Sequence, residues 1–187
     1  MENYSFYKDN REFIKALESR GELVTIQQEV DWDLEMGAIV RRVCEKRLAA
    51  PYFKKIKDYP GFEALGAPLA TYSRLAIAMG MNPKTSIPEI SDEYVRRTTG
   101  TPIPPILVDR KKAPCKENIL VGNDADLFKL PGPMVHEGDG GRYLATWHFV
   151  VAKDPETDAV NWGMYRQMVF DEKTMVGPVL PFSDMGK

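Results

Sequence analysis

A run of residues near the C-terminal end carries side chains that could do chemistry together. In Asn161-Trp162-Gly163-Met164-Tyr165-Arg166-Gln167-Met168, an amide, an indole, a phenol and a guanidinium crowd around a glycine. A guanidinium grips a carboxylate or phosphate through two parallel hydrogen bonds, and a strand glycine admits close approach of a ligand to the backbone. The stretch therefore reads as a surface for an anionic ligand lying against a sheet. Side chains alternate along a strand, which puts Trp162, Met164 and Arg166 on one face and Asn161 on the other. For Asn161 and Arg166 to touch one ligand, a bulge is required between them, and Gly163 is where it is expected. An edge strand with a solvated Arg and Asn fits the same spacing, so the pattern alone leaves both readings open.

Other candidates are weaker. His136-Glu137-Gly138-Asp139-Gly140-Gly141-Arg142 offers an imidazole and two carboxylates that could ligate a metal, but its glycines equally fit a turn. It lacks the spacing and the Lys-Ser/Thr of a phosphate loop. His148 alternates within a β-like run and reads as a hydrogen-bonded core or face residue. Cys44 and Cys115 have no His nearby in sequence and no partner spacing of a redox pair. Pro181-Phe182-Ser183-Asp184 sets a carboxylate one turn beyond a β-like run, where ligands at sheet edges are met.

The elements that must position these residues follow from periodicity. Tyr143 to Lys153 is β-prone, and the loop Asp154-Pro155-Glu156-Thr157-Asp158-Ala159 joins it to the 161–168 stretch as an antiparallel hairpin. Upstream, Asp9 and Glu12 form a capping-box pattern for a helix that Gly21 ends. A short strand is expected over 23–26, a helix over 34–48 with Met36, Ile39, Val40 and Val43 inward, and a strand near Tyr52-Phe53. Ser73 to Met79 reads as a short apolar helix, and Pro83 as the start of another that carries Ile87, Ile90 and Tyr94. Asp92, Glu93, Arg96 and Arg97 read as surface pairing on it. Arg41, Arg42, Lys46 and Arg47 read as a solvated helix face.

Gly100-Thr101-Pro102-Ile103-Pro104-Pro105 cannot continue a helix and marks a boundary. Beyond it, 106–108, 119–121 and 175–180 read as short strands. The expected class is α+β: an N-terminal α/β unit over 1–100, then an antiparallel barrel or sandwich over 101–187.

Composition sets outer limits. The chain has 187 residues, 43% hydrophobic and 28% charged, which is ordinary for a soluble protein with a real core. A net charge of −2 gives no basic footprint for nucleic acid. No apolar run approaches the ~18 residues of a membrane span, and a cytoplasmic protein is expected.

The hairpin and its Asn-x-Gly-x-Tyr-Arg core, Asn161 to Arg166, resemble the signature region of the UbiD family of reversible decarboxylases, and Gly140-Gly141-Arg142-Tyr143 is similar to its lead-in. Asp124-Ala125-Asp126-Leu127, Pro131, Pro133 and the Asp31-x-Asp33 pair also fit. The likeness extends over essentially the whole chain, with a texture near the phenol and phenylphosphate carboxylase branch. It implies prenylated FMN on a split β-barrel of flavin-binding type, with manganese (or magnesium) and potassium at the cofactor phosphate. It places Asn161 as ligand of the divalent metal and Arg166 as the arginine that pairs with catalytic acids. Trp162, Gly163, Met164, Tyr165, Phe182 and Ser183 would line the cofactor. The family's second metal ligand is often a histidine; the matching position here is Asp184, a carboxylate suited to the same hard cation.

The implied substrate is an aromatic, phenolic or unsaturated acid exchanging carbon dioxide, in a homo-oligomer or a complex of carboxylase subunits. Family enzymes are longer, with catalytic glutamates downstream of Lys187. The chain is therefore expected to be a fragment or split subunit that does not turn over alone. A noncatalytic assembly module and a plain FMN-binding split-barrel protein are the alternatives.

Overall fold

The computed structural model describes residues 7–101, 104, 106–146 and 148–186. Pro102, Ile103 and Pro105 of the expected boundary, and Trp147 of the expected hairpin, lie outside them. The chain forms a mixed α/β structure with small sheets. It divides into two compact units, one of Met1–Thr25, Val43–Tyr52 and Leu65–Val121, the other of Ile26–Arg42, Phe53–Ala64 and Gly122–Lys187. A three-stranded sheet has the order β1 (Leu23–Val30), β2 (Ala50–Ile56), β3 (Ala64–Leu65).

In the first unit, α1 (Asn10–Ser19) begins where the Asp9 side chain accepts the Glu12 N–H, as the capping pattern predicts; Glu12 returns to the Lys8 N–H. It ends at Gly21, φ +71°, where the N–H groups of Gly21 and Glu22 close on the carbonyls of Glu18 and Leu17. Leu17 and Ala16 pack against Ile77 of α3 (Tyr72–Ala78). Arg74 of α3 is fully buried: its Nη1 donates to the Leu48 carbonyl at 2.9 Å and pairs with Glu22 at 3.2 Å.

The helix expected from Pro83 instead begins at Ile87, as α4 (Ile87–Thr98). Ser86 and Glu89 form a complete capping box, which satisfies two donors that Pro83 could not, while Asn82 turns the chain by accepting the Lys84 N–H. The charges on α4 are more than surface pairing. Glu93 is buried and takes Arg96 and Arg97, and Arg97 also donates to the Met79 carbonyl.

In the second unit, α2 (Glu35–Lys46), close to its expected span, begins beside a core of Val30, Met36, Phe53, Ile56 and Tyr59. The segment after Pro131 follows this core: Met134 donates to the Trp32 carbonyl at 3.1 Å and accepts the Leu34 N–H at 2.9 Å. Arg142 fastens the segment. Its guanidinium lies 4.1 Å over the Trp32 ring and within 5.5 Å of the Tyr59 and Phe128 rings. It donates to the carbonyls of Gly132 and Leu130 and to the Tyr59 hydroxyl.

From Arg142 the chain enters β4 (Tyr143–Ala145), which pairs antiparallel with β7 (Gln167–Val169); β7 pairs with β8 (Met175–Val176). β5 (Val150–Lys153) and β6 (Val160–Gly163) form a separate hairpin. Each long strand expected from sequence is thus broken in two, one half in each sheet.

The strands expected over 106–108 and 119–121 do not form, and of 175–180 only β8 does. Leu107 is 97% exposed. A β-prone triplet without a paired edge or a buried face has nothing to hold it as a strand. After β8, Gly177 and Pro178 end the pairing. No helix among the described residues is long and apolar enough to cross a membrane.

Two predictions follow from these contacts. The Arg96 and Arg97 guanidiniums pull the Glu93 carboxyl down to about 2 from its ordinary 4.5. A carboxyl depressed by folding stabilises above its unfolded pKa and loses that contribution as pH falls through the folded one. Glu93→Gln should therefore flatten the acid limb between pH 4.5 and 2 in thermal melts. Arg142→Met should cost about 2–4 kcal/mol in denaturant midpoints, from lost ring contacts and orphaned carbonyls, and Arg142→Lys should recover only part.

Candidate functional site

The β5–β6 hairpin is closed by the turn the loop residues predict. Asp154 accepts the Glu156 and Thr157 N–H groups and the Thr157 hydroxyl; these bonds, that from the hydroxyl foremost, hold its carboxyl below the usual carboxylate range. Val151 stands opposite Trp162 and Ala152 opposite Asn161. Phe149 and Trp162 lie with ring centroids 6.0 Å apart.

Between β6 and β7 the chain leaves one sheet and enters the other, so residues 164–166 form a crossing outside any ladder. The kink expected at Gly163 is realised as a strand end rather than as a bulge within one strand. Burial still alternates through it: Asn161, Gly163 and Tyr165 are half-buried, and Trp162, Met164 and Arg166 are exposed.

The half-buried set is one packed group. The Asn161 Nδ2 donates to the Tyr165 hydroxyl oxygen at 3.5 Å, and the Tyr165 ring covers Gly163 so closely that an added Cβ would lie 2.3 Å from Cε2. On the other side Trp162 is 66% exposed, and Arg166 offers its guanidinium to solvent. The Arg166 main chain is held from behind by Gly177, where an added Cβ would meet the Arg166 carbonyl oxygen at 2.6 Å. Neither Gly177 nor the anchoring role of Arg142 was signalled locally, because their partners lie far off in sequence.

Phe182, Ser183 and Asp184 occupy a turn of their own at 180–186. Ser183 donates through both its N–H and its hydroxyl to the Leu180 carbonyl, and Phe182 and Asp184 are exposed. The Asn161 amide oxygen and the Asp184 carboxylate are oxygen donors of the type a hard divalent cation takes. The His136 stretch is a turn: His136 N–H donates to Asp139 at 3.0 Å. Among the described residues no group of three or more His, Cys, Asp or Glu is placed to hold a metal. His148 is not hydrogen-bonded as expected; both ring nitrogens are shielded and without a partner among the described residues.

Comparison with known proteins defines the class to which this ribbon and its Gly-Gly-Arg-Tyr lead-in belong. Residues 14–94 match the family model of the 3-octaprenyl-4-hydroxybenzoate carboxy-lyase N-terminal domain, and residues 106–186 match that of its Rift-related domain. The chain belongs to the UbiD family, whose relatives here are decarboxylases.

It is 37% identical over 186 residues to pyrrole-2-carboxylic acid decarboxylase of Pseudomonas aeruginosa, covering 95% of this chain and 37% of that protein. The closed form of vanillic acid decarboxylase from Sedimentibacter hydroxybenzoicus superimposes with a TM-score of 0.89 at 32% identity, over 97% of this chain and 39% of the other. An evolved dimeric form of the UbiD-class enzyme HmfF from Pelotomaculum thermopropionicum, in complex with prFMN, does so with a TM-score of 0.78 at 27% identity, over 91% and 38%. The chain thus spans well under half the length of these proteins.

Gly177→Ala should destabilise the protein by about 1–3 kcal/mol, because the new methyl group presses on main chain that cannot rotate away. Gly138→Ala, where the methyl group meets open space, should be near neutral in the same denaturation series.

Proposed function

We propose that the chain is the cofactor-domain portion of a UbiD-type carboxy-lyase that reversibly decarboxylates an aromatic, phenolic or unsaturated acid. The observation that carries this reading is the Asn-x-Gly-x-Tyr-Arg unit. It sits where two small sheets meet, with its amide packed and its guanidinium exposed. Support for the cofactor comes from a UbiD-class neighbour whose structure is a complex with prFMN.

Losing carbon dioxide from an unsaturated or aromatic carbon leaves an electron pair that needs a sink, which prenylated FMN supplies when bound. The protein's own work is to bind and orient. Arg166 is the residue for the substrate carboxylate and for a neighbouring acid, whose ionised form its charge favours. Asn161, with Asp184, is the ligand pair for manganese or magnesium. Potassium beside the cofactor phosphate belongs to the same reading. Trp162, Gly163, Met164, Tyr165, Phe182 and Ser183 line the flavin, and the 101–187 portion belongs to a split barrel.

The hairpin's exposed face of Phe149, Val151, Val160 and Trp162 favours a further point. Four large apolar side chains exposed on one hairpin face suit a surface that other polypeptide covers, which supports turnover in a larger assembly. On the alternative of a noncatalytic module, the covered assembly would lack flavin.

In the complete assembly, Arg166→Ala should abolish exchange of labelled carbon dioxide into the carboxyl group of the substrate acid while the circular dichroism spectrum stays that of the parent. Exchange at the parental rate would remove Arg166 from the mechanism. Asn161→Ala should lower retention of flavin and manganese through gel filtration, and mass analysis of extracted cofactor separates prenylated from plain FMN.

A further inference from the structure

An amide has one end a cation accepts and one it rejects. The carbonyl oxygen is a hard donor, the NH2 group only gives hydrogen bonds, and the terminal torsion of Asn interchanges the two with little preference of its own. An Asn that serves a cation is therefore pre-oriented when a neighbour holds its nitrogen the other way. In this structure the Asn161 Nδ2 donates to the Tyr165 hydroxyl oxygen at 3.5 Å. Because the amide is planar, that contact turns Oδ1 away from the phenol.

We propose that Tyr165 is a positioning residue for Asn161. Its phenol oxygen takes the Nδ2–H and so presents Oδ1 to a divalent cation, and Gly163 makes the contact possible. The inference rests on the ligand role of Asn161 proposed above and adds the reason for the spacing. Positions 161, 163 and 165 share the half-buried side of the crossing. The ring must pass over position 163 to reach position 161, and a Cβ there would sit 2.3 Å from Cε2 and 3.0 Å from the hydroxyl oxygen. Only a glycine leaves the phenol in place. A cation on Oδ1 polarises the amide and makes Nδ2–H a stronger donor, so contact and ligation reinforce one another. The role differs from lining the flavin, because it acts through the amide and needs the hydroxyl rather than the ring.

The test is a manganese titration of the complete protein without substrate, read by calorimetry or by the free Mn2+ signal in electron paramagnetic resonance. Tyr165→Phe removes only the hydroxyl and should weaken manganese about 10–100-fold, the usual loss when the partner that orients a ligand is removed. In an Asn161→Asp background the same substitution should have little effect, because the two carboxylate oxygens are alike to a cation and need no orienting. Equal losses in both backgrounds would make Tyr165 a packing residue and overturn the proposal, as would no loss with Asn161 in place. Should Asn161→Ala leave manganese affinity unchanged, the ligand reading itself fails and the positioning role falls with it. Gly163→Ala, which keeps the hydroxyl but displaces the ring, is a second variant with the same expected loss in the Asn161 background only.

Discussion

The stacking of one guanidinium against three aromatic rings carries the second unit. Arg142 meets Trp32, Tyr59 and Phe128, residues from three separate stretches of chain, and ties down two carbonyls of the loop before it. Arginine suits this position because it is planar, weakly hydrated and a multiple donor, whereas a lysine could satisfy rings or carbonyls but not both. The Tyr59 hydroxyl continues the network by donating to the Phe128 carbonyl at 2.8 Å. The main chain of the same residue extends the anchor, since the Arg142 carbonyl accepts the Val169 N–H at 2.8 Å. β7 is thereby fixed to the core, and the 164–166 crossing enters it with Arg166 at its edge.

Around that crossing, small residues decide how closely main chain can approach. The Tyr165 ring lies on Gly163 from one side, and Gly177 backs the Arg166 carbonyl from the other. The result separates two chemistries along six residues. Neutral oxygen donors stay half-buried, and the cationic group with its apolar neighbours faces outward. That division is what the proposed cation and acid sites would ask of one ribbon, and the chain spans well under half the length of its relatives.

Local sequence chemistry made the helices legible. The apolar stripe of 34–48 and the Asp9 cap reflect interactions within a few residues, which is the range sequence spacing reports well. Pro83 misled because a proline tolerated in a first helical turn is equally at home in the turn before it, and the Ser86 and Glu89 box decided between them. Strands were read less well for a related reason. The triplets at 106–108 and 119–121 have the composition of strands, yet strand formation depends on a partner edge that composition does not encode. The pairing of Glu93 with Arg97, four residues on, was legible, but its burial and the shielding of the His148 ring nitrogens were not, because burial of a polar group is set by chain distant in sequence.

What the amino-acid order determined by itself was the set of groups and their alternation. The Asn-x-Gly-x-Tyr-Arg motif, its hairpin and its family likeness follow from side-chain identity and a period of two. The tertiary structure alone decided that the run belongs to two sheets, and that Tyr165 folds back onto Asn161. It also decided that the half-buried Arg142 lies over rings up to 110 residues away. Those outcomes depend on which distant surfaces meet, and contacts across such separations leave no periodic trace in the chain.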